Sequence, residues 1–348
     1  MQEALDKVFR EAVELSGLQR SGLQARVVLG GESFSCAFGV SGDEKALFHW
    51  GSCAKALAGV LVAVLVEEGR LRFDSRLGEL DGECEKKFAE ITIEQLLRHC
   101  GGIVEDLPED ELAAITKETA NFSPRKARER FVAELASKEL LGRPDEIARY
   151  SNAGYVLLSH IVERAVRCDW EKLVVDLVAK PLQMHSLGFG MPPGQIGHDE
   201  NDEPKEGFAD APFQNAPFAV HSTLEDWTKF ARVFLDLLQG KKDALGVLRV
   251  SNAVAERLIA PTPEKQISGF ELPQRYACGW RTRWIDDQDQ EDKMLWHFGT
   301  NFVTQSAILI SAKHSAIVVV GSNSGNLMLR FALRQAFETL LERPFLSK

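Results

Sequence analysis

The chain has 348 residues, 45% of them hydrophobic and 26% charged, with 41 basic against 51 acidic side chains. That length buries a sizeable core in one large domain or two ordinary ones, and the apolar fraction is too high for disorder. A net charge of −10 with no Lys/Arg cluster argues against nucleic acid or an anionic membrane surface as the main partner.

Residues 1–20 spell a charged amphipathic helix without an apolar stretch or cleavage site, so no signal peptide is visible and the expected location is cytoplasmic. Short β-leaning runs at 25–29 and 34–38 are joined by Gly30-Gly31-Glu32, a hairpin signal. Gly51 then precedes a long helix ending near Glu68, with Gly69 where a C-terminal glycine belongs. Its apolar run, 56–66, is about half the length a membrane span needs, so a core helix is expected. Helical patterns follow at 93–99, 109–119, 124–139, 154–166, 170–179 and 224–238. The stretch 188–220 reads as loop, with a solvated acidic segment at 199–206. Beyond 275 the period shortens to strands at 276–284, 293–298, 303–311 and 316–321. Acidic turn residues at 286–292 separate the first two, and a helix over 326–341 closes the chain. Strands at both ends around a helical block predict an α/β (α+β) fold with one antiparallel sheet flanked by helices. Residues 1–80 and 245–348 would form the sheet lobe and 81–244 an all-helical lobe, with a cleft where they meet.

Three places offer chemistry. In Ser52-Cys53-Ala54-Lys55, serine and lysine three apart share a helix face, so the amine can reach the hydroxyl. The helix N-terminus favours a developing alkoxide, and burial would lower the lysine pKa toward that of a base. On spacing alone a helix cap serves Ser52 equally well. Ser123-Pro124-Arg125-Lys126 repeats the spacing, but its proline and charges read as an exposed helix start. Tyr150-Ser151-Asn152 precedes an apolar helix. There a tyrosine near a lysine could shuttle a proton, and the asparagine could orient the lysine, bind a substrate carbonyl, or simply cap the helix. His297-Phe298-Gly299-Thr300 ends a predicted strand. Gly299 would let substrate lie against the strand, and the Thr300 amide could face an oxyanion.

In this order the three motifs resemble the serine β-lactamase and penicillin-binding group, in its class C β-lactamase, DD-peptidase and esterase branch, which carries S-x-x-K, Y-x-N and a K-T-G or H-x-G strand. The segments LVEEGRLRFDSRLGEL, ITIEQLLRHCGGI, RYSNAGYVLLSHIVERA and KPLQMHSLGFG resemble family segments at the same relative positions, extending the likeness over roughly residues 25 to 325. The resemblance implies a β-lactamase/transpeptidase-like fold and a serine hydrolase forming an acyl-enzyme on Ser52. Lys55 and Tyr150 would share the base role, with the Ser52 and Thr300 amides as oxyanion hole and Asn152 and His297 positioning substrate. Two departures stand out. Cys100-Gly101-Gly102 replaces the usual Thr- or Ser-bearing segment, and Phe298 takes the hydroxyl position of the strand motif. Phe298 is therefore expected to put apolar bulk on the substrate wall in place of a carboxylate-binding donor. With no signal peptide visible, a carboxylesterase for small esters is favoured; a β-lactamase or DD-peptidase is the alternative, and an inactive scaffold of the same fold a third.

The implied partner is a small ester or amide substrate; no feature assigns an oligomeric state. Cys36, Cys53, Cys84, Cys100, Cys168 and Cys278 form neither a C-x-x-C pair nor a metal-ligand spacing and read as free thiols. No G-x-S-x-G, H-E-x-x-H, P-loop or G-x-G-x-x-G is present, so no metal or organic cofactor is implied. The seven histidines other than His297 are read as packing or surface residues.

Overall fold

The computed structural model describes residues 1–39, 42–146, 148–262, 276–282 and 293–342. Helix α1 (Gln2–Ser16) buries Leu5, Val8, Phe9 and Ala12 at helical spacing and stops at Gly17, which takes a left-handed φ of 71°. Strands β1 (Leu23–Leu29) and β2 (Glu32–Phe38) form the expected hairpin. Gly30 and Gly31 have φ of 56° and 97°, the positive values such a two-residue turn requires. Strand β3 (Leu47–His49) leads through a 3₁₀ turn, Gly51–Ala54, into α2 (Lys55–Glu67), which is buried continuously from Lys55 to Leu65.

Six helices follow: α3 (Leu77–Leu80), α4 (Ile93–Leu97), α5 (Glu109–Thr119), α6 (Pro124–Leu135), α7 (Asn152–Val166) and α8 (Trp170–Val174). Strands β4 (Gly188–Phe189), β5 (Gly197–His198), β6 (Pro204–Lys205) and β7 (Val220–Thr223) precede α9 (Leu224–Leu238). The chain continues with α10 (Asn252–Ile259), β8 (Met294–Thr300), β9 (Gln305–Ser311), β10 (Ala316–Ser322) and α11 (Leu327–Glu342).

The main sheet is antiparallel, in the order β2-β1-β10-β9-β8. Both chain ends build it, and β8, last in this strand order, lies beside the Gly51–Ala54 turn. Helices α1 and α11 cover one face through Leu5, Phe9, Leu333 and Phe337. The other face meets α9, whose Trp227, Phe230 and Phe234 join the large core that α2 crosses. Thus α9, though inside 81–244, packs on the sheet.

Period-two alternation along β8 corrects one expectation. Leu295 joins the α2-side core, while Met294, Trp296 and Phe298 face α11. The Phe298 ring stacks on Phe337 at 5.9 Å with Arg330 above it at 5.5 Å. Phe298 therefore does not wall the site.

Other local departures have visible causes. The helix expected from Gly154 starts at Asn152, because the Ser151 hydroxyl caps it by accepting from Gly154 N–H at 2.7 Å. The 199–206 segment is not wholly solvated: buried Asp202 accepts backbone N–H bonds from Gln19 and Arg20 at 2.8 and 2.7 Å. Around Arg281 the described chain makes isolated bridges to Tyr276 and Trp296 in place of the expected strand. The rest of that strand and the acidic turn at 286–292 lie outside the described residues. Ser123 caps α6 by accepting from Lys126 N–H, so the second Ser-x-x-Lys is a helix start. All six cysteines are free. No helix among the described residues is long and apolar enough to cross a membrane.

A buried ion network ties α6, α7 and α8 together. Fully buried Arg128 donates to both carboxylate oxygens of Glu163, at 3.0 and 2.6 Å, and to both of Glu171, at 2.8 and 2.9 Å. Removing the guanidinium leaves the buried Glu163 carboxylate with only the Trp170 N–H and the partly buried Glu171 with Asn215, a loss of about 3–5 kcal/mol for breaking a buried ion pair from one side. Arg128→Met should lower the urea-unfolding free energy by that amount, and unchanged stability would contradict it.

Candidate active site

Ser52 lies half-buried in the Gly51–Ala54 turn, which is fixed from several sides. Trp50 donates its backbone N–H to Val220 O at 2.7 Å and its indole N–H to Ser222 Oγ at 2.9 Å. Its ring stacks on Trp227 at 4.7 Å. From β9, the Ser306 hydroxyl donates to Trp50 O. The Cys53 thiol reaches His297 O on β8 at 3.5 Å. Two glycines complete the contact. Gly51 has φ of 52°, and a Cβ there would collide with the Thr300 nitrogen; a Cβ on Gly299 would stand 2.8 Å from Ser52 N. The Gly51–Ala54 turn and the end of β8 thereby meet backbone to backbone at Gly51 and Gly299, with Ser52 N and Thr300 N next to that contact. The space that Gly299 was expected to give substrate goes to the Gly51–Ala54 turn itself.

Lys55, at the head of α2, is fully buried. Its Nζ is 3.3 Å from Ser52 Oγ, 2.8 Å from Asn152 Oδ1 and 2.9 Å from Pro217 O. Burial lowers its pKa to about 7, with Asp106 pulling the other way. A neutral amine has two N–H donors and one lone pair. The two shorter contacts are to oxygens that only accept, so they take both protons and leave the lone pair toward the Ser52 hydroxyl. Because Ser151 caps α7, Asn152 is free for this role. Its Nδ2 lies 3.4 Å from Asp106 Oδ2, which identifies the oxygen as the atom facing lysine.

Tyr150 is packed with its ring under Lys55, Nζ 4.7 Å from the centroid. Burial pushes its phenol well above the usual value, with Ser52 and the Arg281 charge pulling the other way. The group stays protonated near neutrality and can donate. The chain's three tyrosines, Tyr150, Tyr155 and Tyr276, converge on the His99 ring at 4.4, 5.2 and 4.6 Å.

His297 lies buried with its ring centroid 6.2 Å from that of Tyr150. Its Nδ1 faces Phe298 O at 2.6 Å and its Nε2 the Tyr276 hydroxyl at 3.4 Å. Burial, then the Arg281 and Lys55 charges, hold its pKa well below the ordinary value, so it is neutral where a cation would bind an anionic substrate. The Thr300 hydroxyl is committed to its own turn, donating to Thr304 O at 2.8 Å and accepting from Phe302 N–H at 2.9 Å. It cannot substitute for a strand hydroxyl in the site.

Sequence reasoning missed several neighbours. His49 and His99, read as packing or surface residues, are both buried at the site, His49 accepting from Gly51 N–H at 3.0 Å and His99 from Ser151 N–H at 3.1 Å. Arg281 is a buried cation, its guanidinium 6.0 Å from the Tyr150 ring centroid. The scarcity of tyrosine could have flagged Tyr276; nothing in spacing marks Arg281. Among the described residues no group of three or more His, Cys, Asp or Glu is placed to hold a metal ion.

A five-stranded antiparallel sheet with a Ser-x-x-Lys turn against its edge strand, facing Tyr-x-Asn, is the plan of a serine hydrolase of β-lactamase type. The chain belongs to the Beta-lactamase family, whose model matches residues 5–340. It is 28% identical over 265 residues to penicillin-binding protein 4 of Amycolatopsis lactamdurans, covering 71% of this chain and 64% of that protein. It is 25% identical over 290 residues to protein flp of Staphylococcus aureus, covering 78% of this chain and 52% of that protein. The chain thus spans between half and two thirds of these curated relatives. Among solved structures, a class C β-lactamase superposes with a TM-score of 0.75 at 15% identity, over 98% of this chain and 96% of that one. SurE superposes with a TM-score of 0.75 at 23% identity, over 95% and 74%. These likenesses establish the fold.

Proposed function

We propose that the protein hydrolyses small neutral esters through an acyl-enzyme on Ser52. The observation that carries this reading is the Lys55 amine, 3.3 Å from Ser52 Oγ with its N–H groups directed to Asn152 and Pro217. Ser52 Oγ attacks the carbonyl carbon while its proton passes to Lys55 Nζ. The negative oxygen of the tetrahedral intermediate lies toward the Ser52 and Thr300 amides. As the carbon–oxygen bond to the leaving alcohol breaks, Tyr150 supplies its proton and is reprotonated from Lys55. Water, activated by the same neutral lysine, then attacks the acyl carbonyl and frees the acid and Ser52.

Neutral His297 favours substrates without a carboxylate. A hydrogen bond to a charged group is worth roughly 1.5–3 kcal/mol, so its lack should penalise carboxylate-bearing substrates about 10- to 150-fold. Buried Arg281 favours the second reading, a β-lactamase or DD-peptidase, by supplying a cation beside Tyr150. The deciding comparison is kcat/KM for nitrophenyl butyrate against a chromogenic cephalosporin. The ester should win by at least about tenfold, and Phe298→Thr should leave the ratio unchanged because that ring faces α11. Preference for the cephalosporin would install the second reading.

A further inference from the structure

One buried polar chain beside the site has no part in the steps above. His49 ends β3, and its ring accepts the Gly51 N–H at Nδ1, 3.0 Å away. Since Nδ1 accepts, the ring proton of the neutral imidazole sits on Nε2. That atom meets Asp210 Oδ2 at 3.1 Å, with both side chains about 1% exposed or less. The other carboxylate oxygen, Oδ1, accepts from Asn301 Nδ2 at 3.0 Å. Asn301 Oδ1 in turn accepts the Thr304 N–H at 3.0 Å and the Thr304 hydroxyl at 2.7 Å. The chain therefore begins at the residue before Ser52 and ends at the residue after Thr300. Those two neighbours carry their amides on either side of the close approach of Gly51 and Gly299, where a Cβ on Gly51 would strike Thr300 N and one on Gly299 would crowd Ser52 N.

We infer that His49, Asp210 and Asn301 form a positioning chain that sets the Ser52 and Thr300 amides relative to each other for the oxyanion. The inference rests on the hydrolase reading and adds to it residues that touch neither Ser52 Oγ nor any reacting atom. The hydrogen bonds allow one proton arrangement. If the proton moved to Nδ1, it would face the Gly51 N–H, donor against donor. The Asp210 carboxylate prevents this by accepting at Nε2 and at Asn301 together. An asparagine at 210 must turn its NH₂ toward one of those donors, so it breaks the chain without changing shape. Gly51, held at φ of 52°, is then free to move and take the Ser52 amide with it. Misplacement by about 1 Å, or loss of one oxyanion donor, costs on the order of 10²-fold in rate.

The test compares Asp210→Asn, His49→Phe and His49→Asn, the last of which leaves an amide oxygen near the Nδ1 position to accept from Gly51. Nitrophenyl butyrate turnover is measured with the inhibition constant of a phenylboronic acid, whose Ser52 adduct is tetrahedral like the intermediate. Asp210→Asn and His49→Phe should lower kcat by about 10- to 100-fold with KM nearly unchanged. The boronate constant should rise in step with the fall in kcat/KM, and His49→Asn should recover about tenfold over His49→Phe. If His49→Phe does not fold, Asp210→Asn and His49→Asn carry the same comparison. Unchanged kcat in folded variants, or boronate binding that stays at the wild-type level while kcat falls, overturns the inference. A wild type that neither turns over the ester nor binds the boronate removes the hydrolase reading, and the inference with it.

Discussion

Ser52→Ala is expected to lose about 10³-fold or more in kcat while remaining folded. The substitution deletes one oxygen at a half-buried position and leaves the turn's anchors intact. Trp50 keeps its stack on Trp227 and its bond to Val220. Lys55 loses its longest contact and retains Asn152 and Pro217. Stability should therefore stay within about 1 kcal/mol of wild type, as for substitutions that open no cavity and strand no buried charge. The loss is then chemical rather than structural. Activity near wild type in the variant would remove Ser52 from the mechanism.

Lys55→Ala and Tyr150→Phe should each be severe, and the double variant scarcely worse than either. The amine lies 3.3 Å from Ser52 Oγ and 4.7 Å from the Tyr150 ring centroid, so the serine and the tyrosine share one lysine. Groups that move one proton as a unit lose most of their joint effect when either is removed. Their pKa shifts run in opposite directions from the same cause. Burial disfavours the charged form of each, lowering Lys55 to about 7 and raising Tyr150. The lysine must be unprotonated to accept from Ser52, so kcat/KM should rise with pH through a limb near 7. That limb belongs to the coupled pair, and Lys55→Ala should abolish it. Additive losses in activation free energy, or a limb that survives without Lys55, would assign the proton transfer elsewhere.

The legible part of the fold was whatever local pattern sets. The paired glycines at 30 and 31, the apolar run of α2 and the late strands each carry their own signal. The Ser-x-x-Lys and Tyr-x-Asn spacings likewise located groups that the fold brings within hydrogen-bond reach, Asn152 meeting Lys55 at 2.8 Å. Phe298 was misplaced although the rule that places it is simple. A strand alternates faces, so a residue between His297 and Gly299 points away from both. The remainder was not legible because it depends on distant segments meeting. Asp210 comes from a stretch read as loop, and its burial against His49 spans 161 positions. Arg281 reaches Tyr150 only because the chain around it pairs with Trp296 at the sheet edge. No periodicity or spacing encodes such encounters.

The most direct measurement is the intact mass of the protein after exposure to a fluorophosphonate, a penicillin and a nitrophenyl ester in turn, beside Ser52→Ala treated identically. Wild type should gain one fluorophosphonate adduct on the peptide containing Ser52, and the variant none. A wild type left unmodified by all three reagents, or a variant modified to the same extent, would contradict an acyl-enzyme on Ser52.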